Sequence, residues 1–181
     1  MAKTIMVTGG ASSGKTRWAA TYLAACDYVL YLCSADKVDE DTLKRIEYSN
    51  KQNYVEWDIR TGITEKPAET FTDHKFVIFD SLASYTSKAI EKMCPDISQM
   101  TPEMEKQIEG RVIEDVTAMF DSIMTIDGTM IIITLETGFS TTPESRDQAV
   151  FRKIIGTVNQ RISHMCSDVY LSASGVQFKI K

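Results

Sequence analysis

The sequence predicts a layered α/β fold, a mostly parallel sheet flanked by helices with an antiparallel hairpin at the C-terminal end. Three observations predict it. Short apolar, β-rich runs recur at residues 4–8, 28–33, 76–79 and 129–134, and a longer segment of helical spacing follows each. The first run leads through a glycine-rich turn straight into a helical stretch. The last residues instead read strand, turn at Gly175, strand, with no room for a crossover helix.

The elements follow in order. Residues 4–8 (Thr-Ile-Met-Val-Thr) read as a buried strand, and 17–25 as the helix after the glycines. A second strand covers 28–33. A polar helix runs from Asp39 to about Lys51, with Leu43 and Ile46 as its apolar positions. A short strand is expected at 54–57. The run 76–79 is a buried strand ending at Asp80, and 81–93 is helical. Residues 94–101 mix Pro95 with polar side chains and form the candidate mobile loop. Thr101 caps a long helix starting at Pro102, where the missing proline N–H costs nothing, and ending near Ile126. Asp127-Gly128 turns the chain into the strand 129–134. A loop precedes a helix from about Asp147 to Met165, and residues 169–172 and 176–180 pair across Gly175.

A chain of 181 residues is expected to form a single domain, 1–181, large enough to bury a full core. Its net charge of -5 argues against a broad nucleic-acid surface, which needs a basic face. The four cysteines, Cys26, Cys33, Cys94 and Cys166, show no paired spacing, so a reduced chain is the simplest reading. The first strand begins too soon for a signal peptide, and no apolar run approaches a membrane span of about 20 residues. A cytoplasmic location is the expectation.

Chemistry concentrates at residues 9–16, Gly-Gly-Ala-Ser-Ser-Gly-Lys-Thr. Two glycines five apart, then Lys and a hydroxyl residue, form the phosphate-loop pattern of a P-loop NTPase-type fold. The backbone of Gly9, Gly10, Ala11, Ser12, Ser13 and Gly14 can wrap a triphosphate. Lys15 can reach its β and γ phosphates, and the Thr16 hydroxyl can hold Mg²⁺. The following helix aims its positive end at the same anion.

Asp80 ends a buried strand downstream of this loop, the usual place for the acid that completes a Mg²⁺ site; the competing reading is a helix N-cap for the segment from Ser81. Glu136 follows another buried strand, at the sheet edge where α/β proteins gather ligands, and reads equally as a loop carboxylate. Arg146 opens the last helix and suits phosphate better than Arg152 or Arg161, which lie on opposite faces of that helix. His74 and His164, the only histidines, have no partner pattern and read as structural.

Together with these features, Val29-Leu30-Tyr31-Leu32, Arg45-Ile46 with Trp57, Glu136-Thr137-Gly138 with Pro143-Glu144-Ser145-Arg146, Phe151-Arg152, Val158-Asn159-Gln160-Arg161 and residues 174–181 fall in an order that resembles the bifunctional adenosylcobinamide kinase / adenosylcobinamide-phosphate guanylyltransferase family of cobalamin biosynthesis. The resemblance runs the length of the chain. It implies transfer of a phosphoryl group from ATP or GTP to the hydroxyl of adenosylcobinamide, then of GMP from GTP through a histidine to the resulting phosphate. It also implies a homotrimer, a corrinoid acceptor, and a nucleotide site lined by Cys33, Ser34 and Ala35, with Asp80 at the acidic position.

The sequence departs from the family where the second reaction needs it most. Ser49 stands at the position of the guanylylated histidine, and no histidine lies between residues 2 and 73. Ser12 replaces an arginine in the phosphate loop, Arg60-Thr61-Gly62 an acidic residue, and Ala149 a second arginine. A serine without a neighbouring base is a poor nucleophile, and Lys51 would need a depressed pKa to form a phosphoramidate. The residues therefore support the kinase half through Lys15, Thr16, Asp80 and Mg²⁺. Ser49, Lys51, Glu136 and Arg146 remain candidates for a second site. The alternatives are a nucleotide-binding scaffold or regulator without catalysis, and a kinase of another small-molecule acceptor.

Overall fold

The apolar runs pair side by side. In the computed structural model, which describes residues 1–71, 73–139 and 141–181, the strands are β1 (Lys3–Gly9), β2 (Val29–Cys33), β3 (Trp57–Arg60), β4 (Phe76–Asp80), β5 (Thr129–Ile133), β6 (Asp168–Ala173) and β7 (Val176–Lys179). They form one sheet in the order β3-β2-β4-β5-β1-β6-β7. Every pairing is parallel except β6 with β7, the antiparallel hairpin. The helices are α1 (Lys15–Tyr22), α2 (Glu40–Asn53), α3 (Leu82–Met93), α4 (Pro102–Thr125) and α5 (Arg146–Met165). None of the described helices is long and apolar enough to cross a membrane.

Strand alternation sorts the helices between two faces. Ile5, Val7, Val29, Tyr31, Ile78, Ile131 and Ile133 point one way and pack with Ala19 of α1, Leu23 just after it and Ile46 of α2. Met6, Leu30, Leu32, Val77, Phe79, Met130 and Ile132 point the other way, against Leu82, Val116, Ile154 and their neighbours on α3, α4 and α5. The central strands are therefore apolar at consecutive positions, as a sheet covered on both sides requires.

Four helices begin at side-chain caps. Asp39, Ser81, Thr101 and Ser145 accept from the backbone N–H three residues on, at α2, α3, α4 and α5 respectively. Ser81, not Asp80, caps α3, which leaves the Asp80 carboxylate for other work. Helix α1 starts instead at Gly14, with φ 94° and no side-chain cap.

Two elements differ from the sequence reading. The strand expected at 54–57 forms three residues later, because Tyr54 adopts a left-handed conformation (φ 56°) that closes α2. The expected loop at 94–101 contains a short 3₁₀ turn, Ile97–Gln99, capped by Asp96. A second 3₁₀ turn, Pro67–Thr70, precedes β4.

Candidate functional site at the carboxyl edge of the sheet

The parallel strands deliver their C-terminal ends to one edge. There the phosphate loop leaves β1, residues 33–35 leave β2, Asp80 ends β4, and residues 134–138 leave β5. The loop owes its shape to backbone contacts with the C-terminal hairpin. Gly9 sits at φ 150°, and a Cβ there would fall 2.2 Å from the Ser172 carbonyl oxygen. The Ser13 carbonyl accepts from the Ser172 hydroxyl at 2.8 Å and from the Gly175 N–H at 3.0 Å. Gln177 Nε2 donates in turn to Ser172 Oγ. On the other side, the Glu136 N–H donates to the Gly9 carbonyl at 3.0 Å. Asn159 on α5 fixes the approach to Glu136: its Oδ1 accepts from the Thr134 hydroxyl and its Nδ2 donates to the Leu135 carbonyl.

Lys15 folds over this loop and donates to the carbonyls of Gly9 (3.0 Å) and Gly10 (2.6 Å). Burial lowers its pKa, and the nearby Asp80 charge opposes that shift. An ammonium has three rotatable donors, so the side chain can exchange carbonyl for phosphate oxygens.

Asp80 lies on the α1 face because it shares strand parity with Ile78; one residue of slip would send it to the other side of the sheet. There the Thr16 hydroxyl donates to Asp80 Oδ2 at 3.0 Å, and the Tyr31 hydroxyl donates to the same oxygen at 2.5 Å. Desolvation raises the pKa of Asp80; the two hydroxyls and Lys15 work against that rise. Burial, with the Asp80 charge behind it, pushes the Tyr31 phenol far above its usual range, so Tyr31 stays a donor.

A cavity of about 420 Å³ opens beside these groups. It is lined by residues 12–17 and by Asp39, Asp41 and Arg45 at the start of α2. A second hollow, lined by Asp41, Lys44, Arg45 and Tyr48, continues along α2. Ser49 lies one turn beyond Arg45, about 6 Å farther along the axis of α2, and its hydroxyl and carbonyl both accept from Asn53 Nδ2. Lys51 is exposed and lies three residues beyond Tyr48, on the same side of α2.

The other expected residues fall near the edge in supporting roles. Ser34 binds Ser81 twice, through its hydroxyl to the Ser81 carbonyl (2.6 Å) and from the Ser81 N–H (2.9 Å). Ala35 and Cys33 accept from the N–H groups of Gly62 and Ile63. Cys33, Ser34 and Ala35 thus hold the turn beside Asp80 and are outside the lining of the phosphate-loop cavity. The Glu136 carboxylate accepts from its own loop at Gly138 N–H. Arg146, expected near phosphate, instead donates to the Met100 carbonyl and braces the segment before α4.

Both histidines lie at the opposite edge of the sheet. His74 precedes β4, so the length of that strand, roughly 13 Å, separates it from Asp80. It is fully buried and stacked on Tyr28 at 4.2 Å. His164 precedes β6, whose first residue pairs with Ile5 of β1 rather than with the loop end at Gly9.

Sequence reading missed Tyr31, Asp39, Asp41, Arg45 and Ser172 as site residues. A signal existed for Tyr31, a hydroxyl inside an otherwise apolar strand. Ser172 carried none, since its contact joins segments 159 residues apart.

A family model described as "Cobinamide kinase / cobinamide phosphate guanyltransferase" matches residues 5–180. Proteins named "Bifunctional adenosylcobalamin biosynthesis protein CobU" from Salmonella typhimurium strain LT2 and Escherichia coli strain K12 are each 26% identical to this chain, covering 98% of it and 99% of the relative. Among solved structures, an ATPase from the type III secretion system of pathogenic bacteria superimposes with a TM-score of 0.54 at 12% identity over 93% of this chain. The ATP synthase subunit NeqB of Nanoarcheaum equitans gives 0.53 at 12% identity over 94%. The chain spans 50% and 45% of those two chains, and the likeness shows the fold alone.

Proposed function

Since the chain belongs to the cobinamide kinase / cobinamide phosphate guanyltransferase family, we propose that it is a single-domain kinase that transfers the γ-phosphoryl group of ATP or GTP to the hydroxyl of adenosylcobinamide, and that it has lost the guanylyl-transfer half. One observation carries the reading. Lys15, Thr16 and Asp80 converge at the phosphate loop, whereas neither histidine lies at that edge of the sheet.

The acceptor oxygen forms the new bond to the γ-phosphorus, the bond to the bridging oxygen breaks and leaves the diphosphate with its electron pair, and the hydroxyl proton passes to solvent water. Charge spreads over the phosphoryl oxygens and the departing diphosphate. Lys15 and the loop N–H groups stand ready for that charge and need no rearrangement beyond the turn of one side chain.

Thr16 and Asp80 suit Mg²⁺, because the Thr16 hydroxyl spends its proton on Asp80 and keeps its lone pairs for a cation. Both are hard oxygen donors. Among the described residues no group of three or more His, Cys, Asp or Glu side chains could hold a metal by itself, so phosphates and water would complete the shell. A bound Mg²⁺ would supply positive charge against the phosphates.

The expected homo-oligomer and cytoplasmic location belong to this reading. Incubation with γ-labelled ATP or GTP and adenosylcobinamide should yield labelled cobinamide phosphate. With α-labelled GTP, no labelled protein band should survive a denaturing gel; a stable, acid-labile band would overturn the loss of guanylyl transfer. Tight nucleotide binding without transfer to cobinamide or water would make the chain a scaffold, and transfer only to other hydroxyls would make it a kinase of another acceptor.

A further inference from the structure

Tyr31 is 1% exposed, in the middle of β2, among Ile, Val and Leu side chains. A tyrosine there must find a partner for its hydroxyl or lose a hydrogen bond on folding. Its partner is the proposed metal-site acid. β2 and β4 are paired with Tyr31 opposite Ile78 and Cys33 opposite Asp80, so Tyr31 reaches diagonally up the shared face to Asp80.

Two hydroxyls from different elements, Tyr31 on β2 and Thr16 on α1, therefore meet one carboxylate oxygen, Oδ2, at 2.5 and 3.0 Å. Neither uses Oδ1. This arrangement stops rotation of the carboxylate about its final torsion. It also fixes the Thr16 hydroxyl proton toward Asp80, so that its lone pairs point elsewhere. A phenylalanine at position 31 would fill the same core space and leave the carboxylate held by Thr16 alone.

We propose that Tyr31 is a positioning residue for the nucleotide–Mg²⁺ site, holding Asp80 so that Thr16 and the second carboxylate oxygen present a fixed pair of oxygens to the ion and its water. The inference rests on the kinase reading above. It separates the work of the loop, which grips phosphate, from that of Tyr31, which acts only on the metal-dependent part of binding.

Binding of a fluorescent ATP analogue, with EDTA and across a Mg²⁺ titration, tests it in the unaltered protein, Tyr31→Phe, Asp80→Asn and the double variant. Tyr31→Phe is expected to match the unaltered protein in EDTA and to need about tenfold more Mg²⁺ for half-maximal effect, the scale of a lost outer-shell partner. Added to Asp80→Asn, it should change nothing further. An unchanged Mg²⁺ midpoint in Tyr31→Phe, or an undiminished effect on the Asp80→Asn background, overturns this inference alone. Absence of any Mg²⁺ effect in the unaltered protein overturns the kinase reading as well. If Tyr31→Phe does not fold, Asp80→Glu replaces it, because it keeps the charge but moves the carboxylate off both hydroxyls; an unchanged midpoint there also overturns the inference.

Discussion

The phosphate loop and helix α2 face each other across one cavity and are built by opposite means. The loop is held by backbone and buried groups: Gly9 against the Ser172 carbonyl, Ser13 against Ser172 and Gly175, and Asp80 between Tyr31 and Thr16. Helix α2 is mostly solvated. Only Thr42 and Ile46 are buried along its 14 residues, and Asp39 caps its start. Chemistry that depends on the loop is thus tied to the stability of the sheet, while chemistry carried by α2 depends on one exposed turn. A side chain can be exchanged on that turn at little cost to the fold.

The largest effect that sharpens this contrast is expected from Lys15→Ala. It should cut phosphoryl transfer by on the order of 10²–10³ or more, as loss of a preorganised charge does, and leave the melting temperature nearly unchanged. A rate within tenfold of the unaltered protein would break the comparison at its centre. Gly9→Val comes next: its Cβ would meet the Ser172 carbonyl oxygen at 2.2 Å, so a loss of about 2–3 kcal/mol in urea unfolding is expected, together with weaker nucleotide binding. Ser172→Ala should cost about 1 kcal/mol, because it removes the hydroxyl bound to the Ser13 carbonyl. Its nucleotide affinity should fall although Ser172 lies far from the loop in sequence.

Substitution on α2 should do much less. Ser49→His is expected to change stability by no more than about 0.5 kcal/mol, read from the same urea curves, and to leave ATP binding intact. A large loss would show that α2 is as tightly coupled to the fold as the loop.

The smallest effect is a pH dependence at the hairpin. Lys179 and Lys3 hold the Asp168 carboxyl below its ordinary range. A depressed carboxyl contributes stability above its unfolded pKa and loses it as pH falls through the folded value. Stability should therefore decline below about pH 4, and Asp168→Asn should flatten that acid limb in a pH series of thermal melts.

Much of the fold was legible because its signals are local. The alternating apolar runs placed the strands, and Thr101-Pro102 and Asp39 marked helix starts that the structure also shows. Boundaries failed where one backbone torsion decides them: Tyr54 enters a left-handed turn, and β3 begins only at Trp57. At the candidate site, residues 9–16 were legible because two glycines five apart, then Lys and a hydroxyl residue, form a pattern along the chain itself. Arg146 was legible as a charged residue at a helix start, but its partner, the Met100 carbonyl, lies 46 residues away and left no local signal.

By itself the sequence determined that a glycine loop joins β1 to α1, that strands and helices alternate around it, and that no histidine lies between residues 2 and 73. These follow from residue type and spacing along a continuous chain. Only the tertiary structure decided that Ser172 and Gly175 buttress the loop, that Asn159 fixes the approach to Glu136, and that Tyr31 and Thr16 share one oxygen of Asp80. The physical reason is parity and register across the sheet. Which side chains meet on a face depends on strands paired from distant segments, and local spacing carries no record of that pairing.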